Sequence, residues 1–445
     1  MTQFETAVPR RRSLRRNALV LAAGMGVANA GNYGFNVVMA FLLGPEAYGA
    51  LAALLALVLV GSVPGLALQA VVARRTTLAG GAAWPGAGWL VGRAGLGLGL
   101  LTVLAGPGLV LFLHLDSPVP VVWLALALAP TPVLFAVQGL LQGRERFGAL
   151  AAVMVAGAAV KLAAGLALVA AGLGVSGAMA GVAAGALLAS LAGLRLAAPT
   201  TPGALDDPAT PTPGAVDNPA PPPRGSATLP LRGASNREDG LERGWWREVG
   251  TAATGLLGLF LLANVDVLLA RHYLDRAAAG RYALGAVVAK IAFWAPQFVV
   301  TVVFPRLVGA ADPRRLLAGS AGLIVGFGVL LAGGLVVADR VGLIVPVLGG
   351  WYAGLEPLLP LFAALGSALA LVQLLLFEGI ATRDRRMGRA VAVALVAEVA
   401  LVAGPLHGSV GQVAGTALGV ALALATTGWW LLRRRLSRLP VPVAP

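Results

Sequence analysis

The chain has 445 residues, 58% of them hydrophobic and only 12% charged, with a mean hydropathy of +0.84 and a formal net charge of +14. A soluble domain carries about 25% charged residues, so this composition excludes an ordinary soluble protein. The absence of cysteine excludes disulfides and thiolate-bound metals.

Runs of 18 or more mostly apolar residues read as membrane-spanning helices. Twelve follow one another: 17–43, 50–73, 90–113, 119–141, 149–171, 175–196, 247–271, 282–304, 317–338, 358–380, 388–405 and 409–432. They are apolar all round, whereas strands of a transmembrane barrel alternate apolar and polar. The predicted fold is therefore all-α and integral to the membrane. Arg15 and Arg16 precede the first run, and Ala28-Asn29-Ala30 imitates a signal-peptidase site. Apolar sequence nevertheless continues unbroken to Leu43, which predicts a first spanning helix rather than a cleaved leader.

Between the sixth and seventh runs the composition changes. Ten of the fifty residues 197–246 are proline, including Pro221-Pro222-Pro223, beside acids such as Asp206 and Asp207. Such a stretch buries no core and reads as a disordered linker. The predicted organisation is a basic tail (1–16), an N-lobe (17–196), the linker (197–246), a C-lobe (247–433) and a second tail (434–445).

The two lobes read as copies. Pro64 and Arg74 recur as Pro296 and Arg306, shifted by 232. Gly174, Gly177, Gly181 and Gly185 recur as Gly408, Gly411, Gly415 and Gly419, shifted by 234, and Asn36 precedes Asp266 by 230. Six helices per copy give both copies the same orientation, a parallel repeat about the membrane normal with a cleft between lobes. Pro64 and Pro296 are predicted to kink their helices, and the glycine ladders to allow close helix contact.

Of 31 arginines, 27 fall at helix ends and loops on one side, including five before residue 17 and four after residue 432. Arg271, Arg276, Arg281 and Arg340 fall on the other. This positive-inside bias predicts cytoplasmic termini and linker, and makes the basic charge a topology signal rather than a sign of a nucleic-acid partner.

Candidate functional residues are the polar groups at membrane depth. The only two lysines, Lys161 and Lys290, lie in the fifth and eighth segments, one per lobe. An ammonium there costs at least about 2.5 kcal/mol, so it is expected to face a polar cavity or a buried partner. Asn29, Asn32 and Asn36 share one helix face, either lining a cavity or bonding between helices. Gln297 shares a face with Lys290, Asp266 lies at a depth where it can pair with Lys290, and Arg74 and Arg306 complete the set of cavity candidates. Glu398 has no obvious partner, and Gln138 and Gln373 occupy related places. His114, His272 and His407 sit at outer helix ends without metal-ligand spacing. No Walker A sequence and no catalytic constellation is present, so an enzyme is not expected.

Several stretches resemble a known family. Phe41-Leu-Leu-Gly-Pro-Glu-Ala-Tyr-Gly49 is similar to its LG-x-x-x-YG turn after the first helix. Gln142-Gly-Arg-Glu-Arg-Phe147 resembles its helix 4–5 junction, and Gly172-Leu-Gly-Val-Ser-Gly177 its helix 5–6 turn. Asn264-Val-Asp-Val-Leu-Leu-Ala-Arg271 with Gly280-Arg-Tyr-Ala283 resembles helix 7 and its exit, and 296–306 the end of helix 8. The family is the multidrug/oligosaccharidyl-lipid/polysaccharide exporter superfamily, within it the bacterial oligosaccharide flippases. The resemblance implies two six-helix lobes around a cationic cleft in the bacterial cytoplasmic membrane. It implies alternating access that turns a polyprenyl-pyrophosphate-linked glycan across the bilayer. The implied partners are that lipid-linked glycan, membrane lipids and the pathway's glycosyltransferases or polymerase. No cofactor is expected beyond a coupling ion, H+ or Na+. The alternatives are a cation-coupled multidrug extruder and a non-transporting scaffold of a polysaccharide assembly complex.

Overall fold

In the computed structural model the described residues are 9–79, 87–198, 254, 256–294, 313–382, 384 and 386–436. They are helical almost throughout, and no strand occurs among them. The first helical stretch, Pro9–Gly61, has 53 residues. Straight, it would run about 80 Å at 1.5 Å per residue, against a hydrocarbon core of about 30 Å. It turns instead at Gly44, whose φ of 69° suits glycine. Tyr48 then folds back so that its hydroxyl donates to Asn36 Oδ1 at 3.3 Å. The stretch is thus two passages, α1 (9–43) and α2 (45–78). α2 breaks at Ser62 and resumes as Val63–Leu78, which is the kink predicted from Pro64.

α3 comprises Ala87–Leu104 and Gly106–Phe112, bent by 51°. α4 comprises Val119–Leu128 and Thr131–Gly143, interrupted at Pro130. α5 (Phe147–Leu168) and α6 (Gly174–Ala197) reverse through a turn in which Gly172 and Gly174 have φ of 88° and 51°. The second half holds α7 (Leu256–Tyr273), α8 (Arg276–Trp294), α9 (Pro313–Arg340), α10 (Leu359–Ala381), α11 (Arg386–Ala403) and α12 (Val410–Leu436). These are twelve passages among the described residues, each at its predicted place. Residues 9–16, expected as a tail, prolong α1. The linker from 199 to 246 and the Pro296–Arg306 stretch lie outside the described residues.

The glycine ladders behave differently in the two halves. A Cβ on Gly181 would lie 2.5 Å from Gly165 N, and one on Gly185 would lie 2.7 Å from Gly157 O. In α6 the ladder therefore lets α5 and α6 meet backbone to backbone. In α12, Gly415 and Gly419 meet nothing within 4 Å. Close packing, expected of both ladders, is corrected for the second one, which borders open space.

One apolar core joins the lobes, with Phe35, Met39 and Leu54 from the first half and Tyr282, Phe362 and Leu365 from the second in a single buried cluster. The lobes touch most closely where α1 turns into α2. A Cβ on Gly280 of α8 would collide with the Pro45 carbonyl, so that contact requires glycine. The helix ends on that side are called distal below. The arginine distribution predicts that they face outward.

Candidate functional site

The two lysines meet α1 at consecutive residues. Asn32 points into the N-lobe, where its Oδ1 accepts a hydrogen bond from Lys161 Nζ at 2.5 Å. Tyr33 points toward the C-lobe, its hydroxyl donating to the Lys290 backbone carbonyl at 3.3 Å. The two lysine positions thus contact α1 from the two lobes. The sequence puts Lys161 there because Gly157 and Gly165 flank it, and α6 closes on both glycines. The Lys161 ammonium also stands 4.6 Å from the centre of the Phe35 ring, a cation–π arrangement. Among the described residues its contacts are an amide and an aromatic face, with no carboxylate to compensate its charge. Asn36 continues the polar face, its Nδ2 donating to Asn32 O at 2.8 Å. Asn29 is exposed one turn below. Of the asparagine ladder, Asn32 bonds across to α5, Asn36 bonds within the α1–α2 region, and Asn29 is exposed.

Lys290 has a different setting. It lines a cavity of about 20 Å³ with Asn264, Asp266, Phe293 and Trp294, which has room for about one water. Asp266 is 5% exposed and accepts from the Tyr282 hydroxyl at 2.7 Å. The direct Lys290–Asp266 pair expected from sequence is thus replaced by an Asp266–Tyr282 hydrogen bond, with Lys290 within electrostatic reach. Glu398, 1% exposed, lies within electrostatic reach of Asp266 and Tyr282. Asn264 Oδ1, Asp266 Oδ1, Gln373 Oε1 and Glu398 Oε1 are buried without a hydrogen-bond partner. A buried acceptor without a donor is costly, so this cluster is chemically suited to take up a proton or a small cation. Among the described residues no group of three or more acids, histidines or cysteines is arranged to hold a metal ion.

Of the remaining candidates, Arg74 is exposed near the end of α2 and has interaction partners of its own. Gln297 and Arg306 lie outside the described residues. Gln138 and Gln373 are both buried.

Sequence reasoning missed the fastening of the lobes at the distal end. Arg271, at the end of α7 and 4% exposed, donates to the Leu113, His114 and Glu46 carbonyls at 2.9, 3.2 and 3.3 Å. His272 Nδ1 donates to Phe112 O at 2.8 Å, and its ring stacks on Phe112 at 4.3 Å. His114 stacks on His272, and Tyr273 carries the contact on to His407. All three histidines of the chain thus join one aromatic ladder across the lobes. Arg276 pairs with Asp116 at 2.8 Å. Tyr352, in the loop after α9, donates to Ala40 O at 2.9 Å, and burial pushes its pKa up, which keeps the donor protonated. These contacts close the distal end between the lobes.

No protein-family model matches the chain, and no curated protein matches it in sequence. Solved structures do match in shape. One is the lipid II flippase MurJ in an inward closed conformation, with a TM-score of 0.68 at 9% identity over 93% of this chain and 87% of that one. Another is an inward-facing multidrug resistance transporter of the MATE family, at 0.64 and 12%, covering 96% and 100%. A variant of the Vibrio cholerae MATE transporter VcmN gives 0.59 and 16%, covering 96% and 98%. An outward-facing MATE transporter overlaps at 0.52 and 13% identity, covering 95% of each chain. The twelve passages in two halves, the lobe contact at Gly280 and these overlaps give one conclusion: the chain is a multi-pass membrane protein with the fold of the multidrug/oligosaccharidyl-lipid/polysaccharide exporter superfamily.

Proposed function

We propose that the protein is an alternating-access exporter that turns a polyprenyl-pyrophosphate-linked glycan across the cytoplasmic membrane. The observation that carries this reading is the Lys161 ammonium, held at membrane depth by an amide oxygen and an aromatic ring with no carboxylate to neutralise it. A fixed, uncompensated cation beside the lobe interface suits a substrate whose phosphates must cross hydrocarbon. The structural likeness to a lipid II flippase supports the same class. The distally closed arrangement is the state in which such a substrate would enter from the cytoplasmic side.

A second reading, a cation-coupled multidrug extruder, rests on a different observation. Asp266 and Glu398 bury carboxylate oxygens without partners in the C-lobe, and a cationic drug or coupling ion suits such a site. The likeness to multidrug transporters supports it to the same degree.

Lys161→Met separates the two. It keeps length and apolar packing while removing the charge. On the flippase reading the variant reaches the membrane in normal amount and glycan export falls at least about tenfold, the worth of one charge-assisted contact. Lys161→Arg then restores part of it. Undiminished glycan export in Lys161→Met overturns the reading. Loss of drug resistance in Asp266→Asn, with glycan export unaffected in Lys161→Met, establishes the second.

A further inference from the structure

Gly419, one of the α12 glycines that meet nothing, borders a groove. Between α11 and α12 lies a cavity of about 590 Å³ lined by Ala394, Ala397, Leu401, Gly419, Ala423 and Thr427 among others. On α12 its floor runs from Thr416 to Thr427, about 16 Å at 1.5 Å per residue. Half of a 30 Å hydrocarbon core is about 15 Å, so the groove matches one leaflet in depth.

Toward the distal end of α12 lies a second cavity of about 620 Å³, lined by Arg281, Asp275, His407 and Ser409. Leu406 lines the groove and His407 the cavity, and Ser409 lies seven residues before Thr416 on the same face of α12. The two spaces thus follow one another along one helix face, the first lined by apolar and the second by polar side chains.

Several polar groups at and beside the upper cavity are bonded locally. Asp275 Oδ1 accepts from Ala278 N at 2.8 Å, Ser409 Oγ from Gln412 N at 3.2 Å, and Gln412 Oε1 from Gly408 N at 2.9 Å. His407 Nδ1 is bonded to Val402 O at 2.8 Å. Arg281 Nε is buried and has no acceptor. A guanidinium N–H without an acceptor, on a residue that lines a cavity, marks a place where a small shift of the side chain can bring an anionic oxygen into reach.

We propose that this is a phospholipid site: an anionic phosphodiester headgroup on Arg281 and one acyl chain along the α11–α12 groove. Charge and place select the occupant. A single cation, with Asp275 nearby, matches one phosphodiester charge and not a pyrophosphate. The site is lined by C-lobe residues alone, and at Arg281 it adjoins the Gly280 contact between lobes. It belongs to a resident lipid and not to the transported one, and stands whichever substrate is exported.

The test uses the full chain in detergent. Phosphatidylglycerol, phosphatidylcholine and glycerol phosphate are titrated in turn, with native mass spectrometry and melting temperature as readouts. The expected result is one retained phosphatidylglycerol per chain and a raised melting temperature, with weaker effects from phosphatidylcholine and none from glycerol phosphate. Arg281→Gln should weaken phosphatidylglycerol binding at least about tenfold. Gly419→Leu places its side chain in open groove; it should fold with an unchanged melting temperature and lose the lipid as well. That variant decides the matter if Arg281→Gln folds poorly. Three results overturn the proposal: undiminished phosphatidylglycerol binding in Gly419→Leu, equal binding of phosphatidylcholine, or protection by glycerol phosphate equal to that by the lipid, which would mark a free-anion site.

Discussion

At the scale of single residues, the same side-chain type serves by its partners. Lys161 and Lys290 stand out in the sequence as the only lysines, and both do occupy polar niches in the apolar interior. Their partners were not legible, because Asn32 lies 129 residues from Lys161 and Tyr33 lies 257 from Lys290. Arg271 shows this more sharply. In sequence it is one of four outer arginines. In the structure it is buried and holds three carbonyls of the opposite lobe, and backbone acceptors leave no mark on composition. Arg271→Met removes these charge-assisted bonds and leaves buried carbonyls unmet. The distally closed state should lose at least about 2 kcal/mol relative to the open one. Spin labels on cysteines at Val119 and Arg340, both exposed at the distal end, should report a longer and broader separation in the variant. An unchanged distance distribution would show that Arg271 does not hold the closure.

At the scale of elements, periodicity and breakers placed the helices well. Gly44, Pro64 and the Gly172–Gly174 turn all do what their backbone chemistry demands. The repeat of the glycine ladders was legible too, but not its consequence. Gly181 is pressed on the α5 backbone, while Gly415 looks onto open space, because α5 and α11 approach their partners differently. The two variants Gly181→Leu and Gly415→Leu make opposite demands. The first must push α5 and α6 apart, and a cost of about 1–3 kcal/mol is expected, visible as a lowered melting temperature. The second should leave it nearly unchanged. Equal effects would mean that both ladders pack alike. The motifs quoted for the family resemblance also acquire a physical reason. The turn at 41–49 and the glycine at 280 are the two surfaces that meet between lobes, and no room exists there for a side chain on Gly280.

At the scale of the whole molecule, orientation rests on charge and arrangement on packing. The arginine distribution predicts cytoplasmic termini and linker. In this cysteine-free chain a cysteine at Ser176, which lines a cavity at the distal end, should label from outside the cell, and one at Asp217 only from inside. External labelling of Asp217 in intact cells would invert the topology. The sequence by itself determined the class and the twelve passages, and it predicts a two-fold repeat and ionisable residues at membrane depth. Each of these follows from local hydropathy, backbone permissiveness or the cost of charge in hydrocarbon. Only the tertiary structure decided that Asp266 bonds Tyr282 and not Lys290, that three histidines and Arg271 close the distal end, and that one glycine ladder packs while its copy borders a groove. Those outcomes depend on how helices far apart in sequence come together, and in an apolar solvent that assembly is governed by close packing and by the few polar groups needing a partner, neither of which hydropathy records.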